Sequence, residues 1–319
     1  MSTALLIGNG LNLCIKDNLS WGDLLKGIAE ELHVPYNGSV SMPLEFECIV
    51  NRYLSQQSDP TDKIYLVIKG KISKIMSDAK LPSDTIHHMI PLLTVDAIMT
   101  TNYDNLIEYA YDPAYSYKGK KDKTYLFDAT SNSHGISFFH IHGHVDNPKT
   151  ICLGYEHYMG LVEKMRVAIN SKSEGSEGKR MKIVEALVDP TKRRKTWDEK
   201  FYTDDISIIG LGLSESEVDL WWLLTHRAYL YYSNYHGARD VLTNKITYYD
   251  ILDESDEDRL AQKKRIHYLL KNTHVEVIAY TIGKDCVNYE DGYRQILQLY
   301  MEKLNNRSTR IGLNNRKDD

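Results

Sequence analysis

Residues 206–217 read ISIIGLGLSESE, an apolar run that breaks on Gly210 and Gly212 and then turns polar. Such a run, closed by glycines, reads as a strand buried on both faces that enters a tight turn. Ser214 and Glu217 have the S-x-x-E spacing of a capping box at the start of a helix, and that box alone accounts for both residues structurally. The N-terminus repeats the device, with Ala4 to Ile7 running into Gly8, Asn9 and Gly10. Glycines at such a turn let the backbone approach a pyrophosphate and aim amides at it. A tight turn without a ligand explains the first loop equally well. The third glycine of G-x-G-x-x-G is missing, so a dehydrogenase fingerprint is not met. Two strand–glycine turns in one chain suggest a fold that binds ligands at the carboxyl ends of its strands.

Further strand signals lie at Val95–Thr101, Ile136–Ile141, Ile246–Tyr249 and Val275–Ile282, with helical stretches over about 215–232, 256–271 and 289–304. This alternation predicts an α/β fold, a Rossmann-like doubly wound parallel sheet. Between the first two strands the pattern is helical. Ser20 suits an N-cap with Asp23 in the first turn, Pro43 suits a first helical position, and Phe46–Leu54 and Ile64–Met76 are amphipathic. The expected core therefore covers about 1–20, 92–155 and 203–305. An inserted helical subdomain covers about 21–91 and 156–200, and 306–319 form a polar tail.

With 319 residues, 42% hydrophobic and 26% charged, the composition is that of an ordinary globular protein. A net charge of -5 argues against nucleic acid as a direct partner. The four cysteines, Cys14, Cys48, Cys152 and Cys286, form no C-x-x-C pair, which excludes a zinc ribbon and fits a reducing compartment. No stretch approaches the roughly 20 apolar residues of a membrane span, and MSTALLIGNG lacks a signal peptide's basic start, so a cytoplasmic protein is expected. The segment SKSEGSEGKRMK at 171–182 reads as a mobile loop. The basic run Lys192–Lys195 reads as a solvated helix end or a phosphate contact. Tyr229, Tyr231, Tyr232 and Tyr235 suit a half-exposed helix face or an oligomer contact.

Two more strand ends carry polar groups. At 100–106, TTNYDNL reads as a helix start capped by Asn102 or Asp104. At 138–144, FFHIHGH places His140, His142 and His144 at alternating positions that would share one face until Gly143 ends the strand. Metal ligation and a satisfied core histidine are both open on these residues alone.

In order, GNG at 8–10, TNYD at 101–104, IHG at 141–143 and GLGLSES at 210–216 resemble the sirtuin-like domain. Ser20-Trp21 with Leu24-Leu25, and the segment Ile151–Tyr155, resemble its bacterial anti-phage defence branch. The resemblance covers about residues 3 to 225, and the whole chain is expected to be a single such domain. It implies that Asn102 holds the nicotinamide ribose and the incoming water, that Asp104 binds the carboxamide and that His142 is the general base. It also implies that Gly8, Asn9 and Gly10 line the pyrophosphate and that Gly210, Gly212 and Ser214 contact the adenosine side. Asn12 and Thr101 complete the NAD-binding set. Deacetylating members carry paired cysteines and a Pro-Asp-Phe-Arg segment after the first glycine loop. This chain has neither, and that favours NAD hydrolysis with no metal.

The chemistry is consistent with this. Nicotinamide leaves a cationic ring as a neutral one, so the demand is for stabilising an oxocarbenium-like ribose and activating water. A histidine near its ordinary pKa of about 6.5 is mostly neutral at pH 7 and can accept a proton. The apolar neighbours Phe138, Phe139 and Ile141 are not expected to raise that value. The resemblance further implies a NAD-depleting defence effector, a homo-oligomer, and a trigger on a separate activator, ATPase subunit or phage protein. The rivals are a non-catalytic module that senses NAD or ADP-ribose, and an ADP-ribosyl transferase or cyclase.

Overall fold

The computed structural model describes the chain except for residues 1, 17, 59–62, 78–81, 83–84, 120–122, 172–180 and 315–319, and side chains are described up to residue 302. Most of the 171–182 loop therefore lies outside the described residues.

Among the described residues, seven strands form one sheet. They are β1 (Thr3–Ile7), β2 (Ala97–Thr100), β3 (Ser131–Ser133), β4 (Ile136–His140), β5 (Asp205–Ile209), β6 (Ile246–Leu252) and β7 (Glu276–Thr281). Their order is β3-β4-β2-β1-β5-β6-β7, with only β3 antiparallel, at one edge. Numbered in chain order, the six parallel strands lie 3-2-1-4-5-6, the Rossmann arrangement. Strand order reverses between β1 and β5, so the ligand crevice of such a sheet falls at the two glycine turns.

The helices are α1 (Trp21–Glu31), α2 (Met42–Ser55), α3 (Ile64–Ser77), α4 (Leu106–Tyr111), α5 (Tyr155–Asn170), α6 (Lys182–Val188), α7 (Trp197–Thr203), α8 (Val218–Ser233), α9 (Ala238–Val241), α10 (Glu257–Asn272) and α11 (Tyr289–Asn314). Alternate residues of one strand face opposite layers. Ala4 and Leu6 pack with α5–α8 and α10, whereas Leu5 and Ile7 pack with residues 86–92, α4 and α11. The doubly wound arrangement is thus visible in β1 alone.

The first part of the helical subdomain has its own core. Leu24, Leu25 and Ile28 of α1 meet Phe46 and Ile49 of α2 and Ile68 and Ile72 of α3, and this cluster rests on Tyr103, Val145, Ile151 and Leu153 beyond the strand ends. Ser20 and Asp23 form the capping box of α1. The second stretch, about 156–200, differs from expectation. Leu161, Met165, Ile183, Trp197 and Phe201 belong to the core on one face of the sheet, so α5–α7 form part of its helical layer. The periodicity of a helix does not reveal which apolar face receives it. The last helix also runs past 304 to Asn314, so it takes in the first part of the expected polar tail. No described helix is long and apolar enough to cross a membrane.

Candidate active site

At the switch point the two glycine turns interlock. Gly8 N–H donates to the Ile209 carbonyl at 3.0 Å and Gly10 N–H to the Gly210 carbonyl at 2.7 Å. A Cβ on Gly8 would lie 2.5 Å from the Gly210 oxygen, and one on Gly10 2.7 Å from it. Gly210 adopts φ +67°, a region that favours glycine. These glycines are therefore required by backbone-to-backbone packing. The amides of Gly8 and Gly10 bond within the protein and do not aim outward.

Three cavities converge on this turn and share Trp21. The largest, about 430 Å³, is lined by Asn9, Gly10, Thr101, Gly210, Gly212 and Ser214, with Asp250, Arg259 and Tyr293 at its far side. A second, about 220 Å³, has Asn9, Asn12 and Asp104 against apolar Leu24 and Leu106. A third, about 90 Å³, is lined by His142, Thr101, Tyr103, Tyr158, Ser214 and Glu217. Eight of the eleven expected residues thus line the first two cavities and His142 lines the third. Gly8 and Asn102 line none of the described cavities.

Asn102 is buried beneath the first turn, with its backbone N–H on Thr100 Oγ1 at 3.0 Å and Nδ2 3.4 Å from the Gly8 carbonyl. Its Oδ1 has no partner, leaving one buried acceptor open. Asp104 accepts from the Leu106 amide at 3.0 Å and from Asn12 Nδ2 at 2.8 Å. Asn12 Oδ1 in turn meets His87 Nε2 at 2.8 Å. Burial raises the Asp104 carboxyl and pushes His87 down to about 4, so His87 is a neutral donor that holds the Asn12 amide in register.

The three histidines do not share one face. Strand β4 ends at His140, and Gly143, at φ +104°, packs its Cα against the Thr150–Ile151 backbone and turns the chain. His140 points to Glu108, with Nε2 to Oε1 at 2.8 Å, and its Nδ1 donates to the Asn102 carbonyl at 2.8 Å. The His144 ring lies 4.3 Å from that of His140. His142 swings to the opposite side, where Nε2 meets Asp219 Oδ2 at 2.9 Å and the ring edges against Tyr158. Burial alone would lower the His142 pKa, but the Asp219 charge and hydrogen bond outweigh it and the value is raised. Burial lowers the value, as expected of the apolar neighbours, and the rise comes instead from a carboxylate 77 residues away.

Glu108, His140 and His144 offer ligand atoms within 4.8 Å of one another, a His₂Glu set. His140 suits a ligand, since its Nδ1–H is anchored on a carbonyl. His144 does not, because its Nδ1 accepts from the Asp146 amide at 3.1 Å, which places the ring proton on the Nε2 a metal would need.

The capping box expected from Ser214 and Glu217 is absent. Ser214 Oγ pairs with Ser216 Oγ at 2.7 Å, α8 starts later, at Val218, and Glu217 makes no side-chain cap bond. Glu217 instead turns inward, with Oε2 sealed from solvent and unpartnered. Asp219 and Glu217 were the groups the sequence reading missed. The capping-box spacing accounted for Glu217 locally, and nothing near Asp219 in the sequence marks it, since its partner His142 lies 77 residues away. Of the basic run, Lys192 pairs with Glu185 and Arg194 with Asp198. Tyr229 and Tyr232 are exposed on α8.

A search of curated proteins found no match. The profile of the SIR2-like domain matches residues 96–278, from the strand that precedes Asn102, through His142 and the second glycine turn, to β7. With more than half its length matched and a Rossmann-like sheet beneath the site, the chain belongs to the SIR2-like domain family, which includes NAD-dependent enzymes.

Proposed function

We propose that the protein cleaves the nicotinamide–ribose bond of NAD by hydrolysis, giving nicotinamide and ADP-ribose. One observation carries this reading: His142, oriented by buried Asp219, lines a cavity that shares Thr101, Ser214 and Glu217 with the large cavity at the glycine turns. With the neutral ring's proton on Nε2 toward Asp219, Nδ1 holds the lone pair that takes a proton from attacking water. The large cavity suits the ADP half of the molecule, and the Asn12–Asp104 cavity suits the carboxamide, which needs both a donor and an acceptor. Asn102, buried beneath the first glycine turn, would turn its unpartnered Oδ1 toward the ribose and the water when NAD is bound. The absence of paired cysteines favours water over a protein substrate as the acceptor.

The test is nicotinamide and ADP-ribose release from NAD by the wild type, His142→Ala and Asn102→Ala. Release by the wild type with loss in both variants is expected, and equal activity in all three would overturn the assignment. Cyclic or protein-bound ADP-ribose as the product would replace hydrolysis with cyclisation or transfer. Tight NAD binding without any nicotinamide release would replace it with a sensing module. We extend the reading to NAD depletion as an anti-phage response, with a homo-oligomeric assembly and a trigger on a separate protein. Cellular NAD that stays constant in challenged cells carrying the gene would remove that extension.

A further inference from the structure

We propose that Glu217 is a further catalytic group of this site: its carboxylate accepts the hydroxyls of the nicotinamide ribose and offsets the positive charge that develops at C1′ as nicotinamide leaves. This rests on the NAD-cleavage reading above and deepens it.

The position carries the argument. The His142 cavity and the large nucleotide cavity are both lined by Trp21, Met42, Thr101, Ser214 and Glu217, and among these five only Glu217 is ionisable. With the ADP half in the large cavity and the attacking water at His142, the reacting C1′ of the nicotinamide ribose lies where these two cavities meet. Glu217 is not held there as a helix cap, and its Oε2 is buried without a partner. An orphaned buried carboxylate oxygen is costly for the free protein, and a bound diol would satisfy it. Around it stand His142 and Asp219, with the phenols of Tyr103, Tyr158 and Tyr248, and none of these is a fixed cation. With His142 in the neutral form that acts as base, the negative charge is left for the ligand to neutralise.

In the step itself the C1′–N bond breaks with its electron pair passing to the pyridinium nitrogen, which gives neutral nicotinamide. Water oxygen then bonds to C1′, and the proton it loses goes to His142 and on to solvent. Glu217 gains and loses no proton; it acts as a fixed charge in a site shielded from water, where such a charge has its largest effect. Burial pushes its carboxyl up to about 7, with His142 lowering it and Asp219 raising it. A cationic nicotinamide riboside beside it favours the ionised form.

The experiment measures nicotinamide release, KM for NAD and thermal stability for the wild type, Glu217→Gln and Glu217→Asp. We expect kcat of Glu217→Gln to fall by about 10²-fold or more with KM little changed, and Glu217→Asp to recover part of it. The same Gln variant is expected to be at least as stable as the wild type above pH 7, because a buried charge has been removed. Wild-type kcat in Glu217→Gln would overturn the proposal, as would a change confined to KM, or a loss of activity that comes with a loss of stability. An active wild type with an active Gln variant removes this proposal alone. A wild type that releases no nicotinamide removes the NAD-cleavage reading and this proposal with it.

Discussion

His140 and His142 stand two residues apart, both are buried, and each faces a carboxylate across less than 3 Å. In each, a carboxylate overcomes burial and raises the imidazole pKa: Glu108 for His140, Asp219 for His142. They differ in what remains. Both ring nitrogens of His140 are engaged, one on Glu108 and one on the Asn102 carbonyl, and it lines none of the described cavities. His142 uses only Nε2 among the described hydrogen bonds and lines a cavity. Perturbed electrostatics alone would therefore rank the two alike. A nitrogen with a free lone pair at a cavity wall separates the proposed base, His142, from the strut, His140, that fixes the backbone of Asn102.

The largest expected effect tests that division directly. His142→Ala should lower nicotinamide release by about 10²–10⁴-fold while the protein stays folded. His140→Ala should instead lose fold stability, by about 3–5 kcal/mol in denaturant unfolding, because it leaves the Glu108 carboxylate buried and unpaired. A stable, fully active His140→Ala alongside a stable, fully active His142→Ala would break the comparison.

A smaller effect concerns the pH profile. Asp219 raises the His142 pKa, and the base works in its neutral form. In Asp219→Asn the rising limb of kcat/KM should move to lower pH, with a reduced plateau from the misoriented ring. A limb that stays in place would detach His142 from the profile.

Stability should also depend on pH. Histidines whose folded pKa is raised contribute stability that is fully present below about 6.5 and lost as pH rises through their folded values. Glu217 acts in the same direction, since its folded state holds a proton between 4.5 and about 7 that the unfolded chain has released. Buried His87, His144, His157 and His226, whose values are lowered, add stability as pH rises toward 6.5, so the readout is a difference: from pH 5 to 8.5 the Tm of the wild type relative to Glu108→Gln, and relative to Glu217→Gln, should fall. A difference that grows with pH over this range would contradict both assignments.

The smallest effect sharpens a second contrast, between glycines. Gly8→Ala places a methyl 2.5 Å from the Gly210 carbonyl and should cost about 1–3 kcal/mol, whereas a Cβ on exposed Gly212 meets nothing within 4 Å. Gly212→Ala should leave stability within about 0.5 kcal/mol and can be read for its effect on NAD affinity alone. Equal losses at both positions would show that the interlocked turns are not what holds Gly8.

Much of this was legible in the chain itself. Every parallel strand was marked by its apolar run, because a strand covered on both faces needs apolar residues on both. Antiparallel β3, with the sequence SNS, carries no such signal at its half-exposed edge. The motifs that hold the glycine turns, Asn102, Asp104 and His142, the residues of the proposed site, are readable in their order along the chain. Missing were Glu217, where the capping-box spacing was locally sufficient, Asp219, whose partner lies 77 residues away, and the layer to which α5–α7 belong.

Local pattern therefore determined the α/β class, the strands and the loops that bear the site, since alternation and turn chemistry are written in neighbouring residues. Tertiary structure alone decided where those loops aim their side chains. Beyond a strand end, direction follows from a single backbone choice such as Gly143 at φ +104°, and from partners far along the chain. His142 finds Asp219 across 77 residues and Asn12 finds Asp104 across 92. Contacts over such separations leave no periodic trace, and only folding brings them to one crevice.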